Sequence, residues 1–249
     1  MPKLFNIGTN KNGLIVFGGE ASADYGIVVG SAPTFEKPRR KQTVYTIPGR
    51  NGAIIQQQDA WDDVTRKYKV CALPKFSDLP DAVEAFTGWL NSQTGYTRLE
   101  DSFEPDYYRL AYYSGGDSVA NDMMQAGETT LQFTCRPERF LKSGEDAISC
   151  VNGTYLNNPT RFVSKPLIHI EVSSPSTVQV STGYGQAMTA AVTDYLNIDC
   201  ETMNAYRLPT ENKNSEISGK FMQLQPGLNG IWITGSPTLV AITPRWFTI

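Results

Sequence analysis

A single histidine, His169, stands in the whole chain. Ser-His-Asp triads and most zinc sites need histidine with partners arranged around it. His169 falls at an outward position of an alternating strand pattern, where a solvated side chain is the plain reading. The four cysteines, Cys71, Cys135, Cys150 and Cys200, are scattered and form no C-x-x-C pair. That spacing excludes a zinc knuckle and predicts free thiols in a reducing compartment, not a disulfide frame. There is no G-x-S-x-G elbow, no G-x-G-x-x-G after a strand and no phosphate loop. No catalytic residue, cofactor or metal site is therefore assigned. The 25 acids always allow a carboxylate pair, but nothing singles one out.

Charge is scarce as well. Asp, Glu, Lys and Arg make up 19% of the residues, the net charge is −3 and the pI is near 5.3. No basic excess exists to release counterions from a phosphate backbone, which argues against nucleic-acid recognition. The one basic cluster, Lys37, Arg39, Arg40 and Lys41, reads as a solvated loop before a strand. No apolar run approaches the roughly 18 residues a spanning helix needs. Met1 to Asn10 lacks the basic and apolar regions of a signal peptide. The expectation is a soluble protein made in a cytosol, without membrane insertion.

What is present is a chain of 249 residues, 40% hydrophobic, enough for one large or two ordinary domains. Leu14–Phe17, Tyr25–Val29 and Thr65–Leu73 read as strands. One helix is predicted over about 79–92: Leu79, Val83, Phe86, Trp89 and Leu90 recur at helical spacing, Asp78 can cap its start, Pro80 suits the first turn, and Gly95 lies past its end. Its apolar face, Trp89 included, reads as core. Tyr96–Leu99 and Tyr107–Tyr113 flank an acidic turn with Glu100, Asp101, Glu104 and Asp106, which lacks the oxygen spacing and glycine of a calcium loop. In Thr129–Arg136 the residues Leu131, Phe133 and Cys135 face inward, and Pro137 is expected to end the strand.

The stretch 138–164 is rich in Gly, Asn, Ser and Thr and marks a domain boundary, giving domains 1–140 and 141–249. Beyond it, short runs alternate with turn residues, as in an antiparallel sandwich. They are Pro166–Val172, Thr177–Ser181, Ala187–Val192, Tyr195–Asp199, Phe221–Leu224, Gly230–Thr234 and Thr238–Thr243, with Pro226–Gly230 expected as a turn between two of them. Tyr184, Tyr195, Tyr206 and Trp232 are candidates for stacking on a sugar, though such aromatics are commonly core or edge residues.

The hexapeptide Ile47-Pro48-Gly49-Arg50-Asn51-Gly52 carries two turn signals between extended runs, Gln42–Ile47 and Ala53–Gln58. Pro48-Gly49 suits a type II turn and Asn51-Gly52 a type I′ turn, so a hairpin tip is predicted with Arg50 as its one charge.

Three segments together resemble the distal tail protein (Dit) family of bacteriophages with long, non-contractile tails and of related prophages. They are Ile47–Gly52, Leu131–Pro137, and a C-terminal series of Asp194–Asp199, Glu201–Tyr206, Pro226-Gly227 with Asn229-Gly230, and Thr243-Pro244-Arg245-Trp246. Their order covers nearly the full chain. The resemblance implies a mainly β protein with one α-helix: an N-terminal β-sandwich belt domain with a projecting hairpin, and a C-terminal galectin-like antiparallel β-sandwich. It further implies a homohexameric ring around a channel that passes DNA. The ring would join the major tail tube protein to the tail-tip protein, and would carry receptor-binding proteins in the virion. Pro48, Gly49, Arg50, Asn51 and Gly52 become candidate interface residues. Asp199, Pro226, Gly227, Pro244, Arg245 and Trp246 become the signature of the C-terminal domain. The chain lacks the large inserted carbohydrate-binding module of elaborated members. The alternative reading is a carbohydrate-binding protein acting in host-surface adhesion.

Overall fold

Alternation of apolar residues sets most of the strands in the structure, a computed structural model that describes residues 13–72, 79–115 and 127–249. The chain divides into two units, Met1–Arg139 with Ile249, and Phe140–Thr248. Asp78, read as a helix cap, lies outside the described residues, as do the side chains of Leu79 and Pro80.

The first unit holds β1 (Ile15–Phe17), β2 (Glu20–Ala21), β3 (Ile27–Val29), β4 (Thr34–Phe35), β5 (Arg40–Thr46), β6 (Ala53–Trp61), β7 (Val64–Ala72), α1 (Leu79–Ser92), β8 (Thr97–Asp101), β9 (Tyr107–Gly115) and β10 (Glu128–Leu141). The last two residues of β10 belong to the second unit. The main sheet runs β2-β1-β8-β9-β10-β7-β3, with β4 also on β7, while among the described strands β5 and β6 pair only with each other. The helix lays Val83, Phe86, Trp89 and Leu90 into the same core as Phe17, Leu131 and Phe133. Each such side chain contributes about 1.5–3 kcal/mol on burial. Trp89 is held on both counts that a buried indole requires. Its Nε1–H donates to the Phe17 carbonyl at 3.1 Å, and its ring stacks on Tyr25 with centroids 4.9 Å apart.

Pro137 does not end β10, which continues to Leu141. The ladder to β7 has already stopped at the Cys135–Val64 pair. The missing N–H of Pro137 therefore costs no bond on that side, and inward alternation carries on through the buried Pro137.

The second unit is a two-sheet antiparallel β-sandwich. Its strands are β11 (Ile148–Ser149), β12 (Thr154–Asn158), β13 (Leu167–Glu171), β14 (Ser176–Thr182), β15 (Ala187–Val192), β16 (Tyr195–Asp199), β17 (Asn204–Tyr206), β18 (Ile217–Gly219), β19 (Gly227–Thr234) and β20 (Leu239–Thr243). One sheet is β11-β20-β13-β16-β17, the other β12-β19-β14-β15-β18. Ile168, Ile170, Val178, Val180, Ile231 and Ile242 are among the inward residues that form its core.

Two readings of this region are corrected. Phe221–Leu224 is no strand; only an isolated bridge, Ser164 to Leu224, remains there. Pro226–Gly230 is no turn between strands, because Gly227 to Gly230 pair with Asn158 to Tyr155 as the start of β19. The buried Asn229 amide satisfies the backbone there, donating to the carbonyls of Gln225 at 2.7 Å and Gly227 at 2.9 Å. The stretch 138–164, rich in turn residues, also contains β12. The four cysteines are free thiols, and Cys135, Cys150 and Cys200 are buried.

Candidate functional site

β5 and β6 form a ribbon with register Val44–Ile55, Tyr45–Ile54 and Thr46–Ala53. Residues directly opposite share a face, so Val44 and Ile55 mark one side and Tyr45 and Ile54 the other. None of the four is covered: Val44 is 53%, Tyr45 51%, Ile54 46% and Ile55 56% exposed. A two-stranded ribbon is marginal in water without a layer to pack on. This one offers apolar pairs on both faces and unpaired backbone along both edges, which marks a surface built to be covered. At its base Arg40 lies over the Trp61 ring at 4.9 Å and 3.7 Å from Asp59, and Lys41 is 4.0 Å from Asp62. The cluster read as a solvated loop thus partly belongs to the ribbon and is exposed.

At the tip the Arg50 N–H donates to the Ile47 carbonyl at 3.2 Å and Gly49 has φ 79°. That is the type II turn expected of Pro48-Gly49. The type I′ expectation for Asn51-Gly52 fails. Gly52 has φ 82°, but Asn51 is not at positive φ, and the Thr46–Ala53 pair leaves a six-residue loop where type I′ closes two. Pro48 to Gly52 are all exposed, and among the described residues Arg50 has no ion-pair partner.

The acidic turn after β8 holds arginines. Asp101 Oδ2 accepts from Arg66 Nη2 and from the Tyr68 hydroxyl, each at 2.7 Å, while its Oδ1 accepts the N–H groups of Phe103 and Glu104. Glu104 meets Arg66 at 2.8 Å and Arg109 at 3.3 Å, and also Arg139. Arg66 is 1% exposed. Burial alone would push the Glu104 carboxyl up, but Arg66, Arg109 and Arg139 outweigh it and hold it below the usual range. Burial, then the Asp101 charge, drives the Tyr68 hydroxyl well above its ordinary value. This is an internal tie across β7, β8, β9 and β10.

In the second unit Arg245 forks onto Asp199, Nη1 to Oδ1 at 2.8 Å and Nη2 to Oδ2 at 3.2 Å. Asp199 Oδ1 also accepts the N–H groups of Glu201 and Thr202. Burial raises the Asp199 carboxyl, yet Arg245 and these N–H donors bring it below its ordinary value. Arg245 has φ 57°, its N–H donates to the Gly144 carbonyl at 2.8 Å, and the neighbouring Trp246 carbonyl accepts from Leu141 N–H at 2.9 Å. Arg245, Trp246 and Asp199 therefore act as one locked corner, with the buried Pro244 leading into it. Pro226 and Gly227 stand apart, at the start of β19 in the other sheet. His169 is pinned where a solvated ring was expected. The β13–β16 register sets it opposite Asn197, so Nδ1 lies 2.8 Å from Asn197 Oδ1, and Nε2 lies 2.9 Å from Glu171 Oε1.

No family model matches this sequence, and no curated protein matches it. Among solved structures there is a match with TM-score 0.66, spanning 95% of this chain and 99% of the other at 16% identity. The chain shares the fold of the SPP1 Dit protein. That crystal structure is described as a paradigm of the hub adsorption apparatus of phages infecting Gram-positive bacteria. The Dit-like fold covers both units, which agrees with the family resemblance of the three sequence segments and with a mainly β architecture with one helix.

Reading turns alone found the tip of the ribbon of this Dit-like fold but missed its faces. The available signal was the adjacent pair: Val44-Tyr45 and Ile54-Ile55 each put one apolar side chain on either side of a strand. The arginine tie was missed because Arg66 lies far from Glu104 in sequence and inside an otherwise ordinary strand.

Proposed function

We propose that this chain is a structural hub at the distal end of a long, non-contractile phage tail. Six copies close into a ring around a channel for DNA, one side meeting the tail tube protein and the other the tail-tip protein and receptor-binding apparatus. The protein is made in the bacterial cytoplasm, acts in the virion and works without catalysis. The observation that carries this reading is the β5–β6 ribbon, apolar on both faces and uncovered among the described residues, set in a fold shared over 95% of this chain with a hub adsorption protein. A head-to-tail contact closes into a ring when the rotation is right, and a ribbon with two free edges is natural material for it. Arg50 at the tip is a candidate contact across that interface. The net charge of −3 adds no cationic excess that would hold DNA in transit. The galectin-like character of the second sandwich belongs to the same proposal.

Light scattering on the purified chain is the test. A mass near six times 27.5 kDa, with rings in negative stain, is expected. A monomer at every concentration, both alone and mixed with tail tubes, would count decisively against the hub.

A further inference from the structure

The strands of the sheet β12-β19-β14-β15-β18 carry no charge, and the exposed Lys220, whose N–H donates to the Ala187 carbonyl at 3.0 Å, lies just past β18 at the sheet's edge. None of its five strands contains Asp, Glu, Lys or Arg, whereas the opposite sheet includes Glu171 and Asp199. Protein surfaces ordinarily mix charges of both signs, so uncharged strands constrain what their outer face can receive. Trp232 lies on this face, 40% exposed, with the more open Tyr155 and Leu228 beside it and Tyr184 on the turn after β14.

Two glycines fix the indole. Tyr155 stands opposite Gly230 in the β12–β19 register, and the Gly183 N–H donates to the Gly230 carbonyl at 3.2 Å. A Cβ at Gly230 would lie 2.4 Å from the Trp232 ring, and one at Gly183 would lie 3.2 Å from it. The six-membered ring therefore occupies the space that side chains at these positions would fill, and is held against the sheet. The Tyr155 ring meets it edge-on, centroids 6.4 Å apart at 74°. The Tyr184 hydroxyl donates to the Leu228 carbonyl at 3.2 Å. The outward neighbours are amides and hydroxyls, and Gln179 already reaches Thr189 Oγ1 at 3.4 Å.

We propose that this face binds a neutral glycan, a role that does not depend on the hub reading. The C–H face of a sugar ring packs on a rigid aromatic surface, and its hydroxyls find amide and hydroxyl partners instead of ions. Along the strands an anionic polymer would meet no counter-charge. A protein partner would use the same Trp and Tyr anchors, and competition by sugar in the test below separates the two. Pre-positioning of the indole by Gly230 and Gly183 lowers the ordering cost of binding.

The test uses the full chain on an array of neutral oligosaccharides built from glucose, galactose, rhamnose and N-acetylglucosamine, with heparin as the charged control, followed by calorimetric titration of any hit. Binding to at least one neutral probe is expected, weakened tenfold or more in Trp232→Ala and in Tyr155→Ala. Gly230→Ala keeps every aromatic side chain but displaces the indole, and should weaken binding as well. Circular dichroism on the exposed-site variant Tyr155→Ala guards against misfolding, and the light-scattering mass of the same samples separates failed sugar binding from failed assembly. No neutral hit, a preference for heparin, or binding unchanged in both Trp232→Ala and Tyr155→Ala overturns the proposal. So does self-association that Trp232→Ala abolishes and no sugar competes away, since the face would then be a protein interface.

Discussion

Arg245 holds a left-handed backbone, φ 57°, which costs a residue with a Cβ about 1–2 kcal/mol. Its guanidinium fork onto Asp199 and its N–H bond to Gly144 offset that cost. Replacing Asp199 by alanine leaves a half-buried cation without its main partner, and should lower unfolding stability by about 2–4 kcal/mol in chemical denaturation. The same residue predicts a pH dependence. Asp199 and Glu104 are both held below their ordinary values, so the folded form binds protons more weakly than the unfolded chain. Their stabilisation is present in full above the usual carboxylate range, about pH 4, and is lost as pH falls through their lowered folded values. Denaturant midpoints should drop on acidification through this range, and Asp199→Asn should flatten the drop. A midpoint rising towards low pH would contradict the assignment.

Among elements, the arginine tie and the ribbon have opposite roles. Arg66 links β7 to Asp101 at the end of β8 and to Glu104, which in turn gathers Arg109 of β9 and Arg139 of β10. Truncation to Arg66→Ala strands buried carboxylates and should cost about 3–5 kcal/mol, visible as a lower thermal midpoint. The ribbon has no such anchoring over its length. At its tip, a Cβ at Gly49 would meet nothing within 4 Å, and φ 79° alone resists a side chain. Gly49→Val should therefore strain the turn by about 1–2 kcal/mol and weaken assembly while leaving the unfolding midpoint of the monomer almost unmoved. Equal loss of folding and assembly would show that the tip serves the fold and not an interface.

For the molecule as a whole, the proposed hub makes the ribbon the element that would decide between a monomer and an assembly. Among the described residues its apolar pairs pack only within the ribbon, so removing them should leave the folding of both units intact. The double variant Val44→Ser, Ile55→Ser is expected to give circular dichroism like the parent but a mass near one chain by light scattering. Rings that persist in this variant would place the contact elsewhere.

Local chemistry alone was enough for much of this protein. Period 3.6 over Val83, Phe86, Trp89 and Leu90 set the helix, period 2 over Leu131, Phe133 and Cys135 set the central strand, and proline beside glycine set the type II turn at 47–50. These features depend on neighbours in the chain, which the sequence displays. Tertiary structure decided the rest. Whether Pro137 breaks a strand depends on where the partner ladder stops. Whether Asn51-Gly52 closes a type I′ turn depends on the register of Thr46 with Ala53. Whether the carboxylates Asp101 and Glu104 of the acidic turn await a cation depends on arginines brought from distant strands. Exposure of Val44, Tyr45, Ile54 and Ile55, and the seating of Trp232 on Gly230, likewise exist only once the strands are paired. Long-range pairing is the physical reason: one residue of register exchanges the inside and outside of a strand, and no short window of sequence contains its partner.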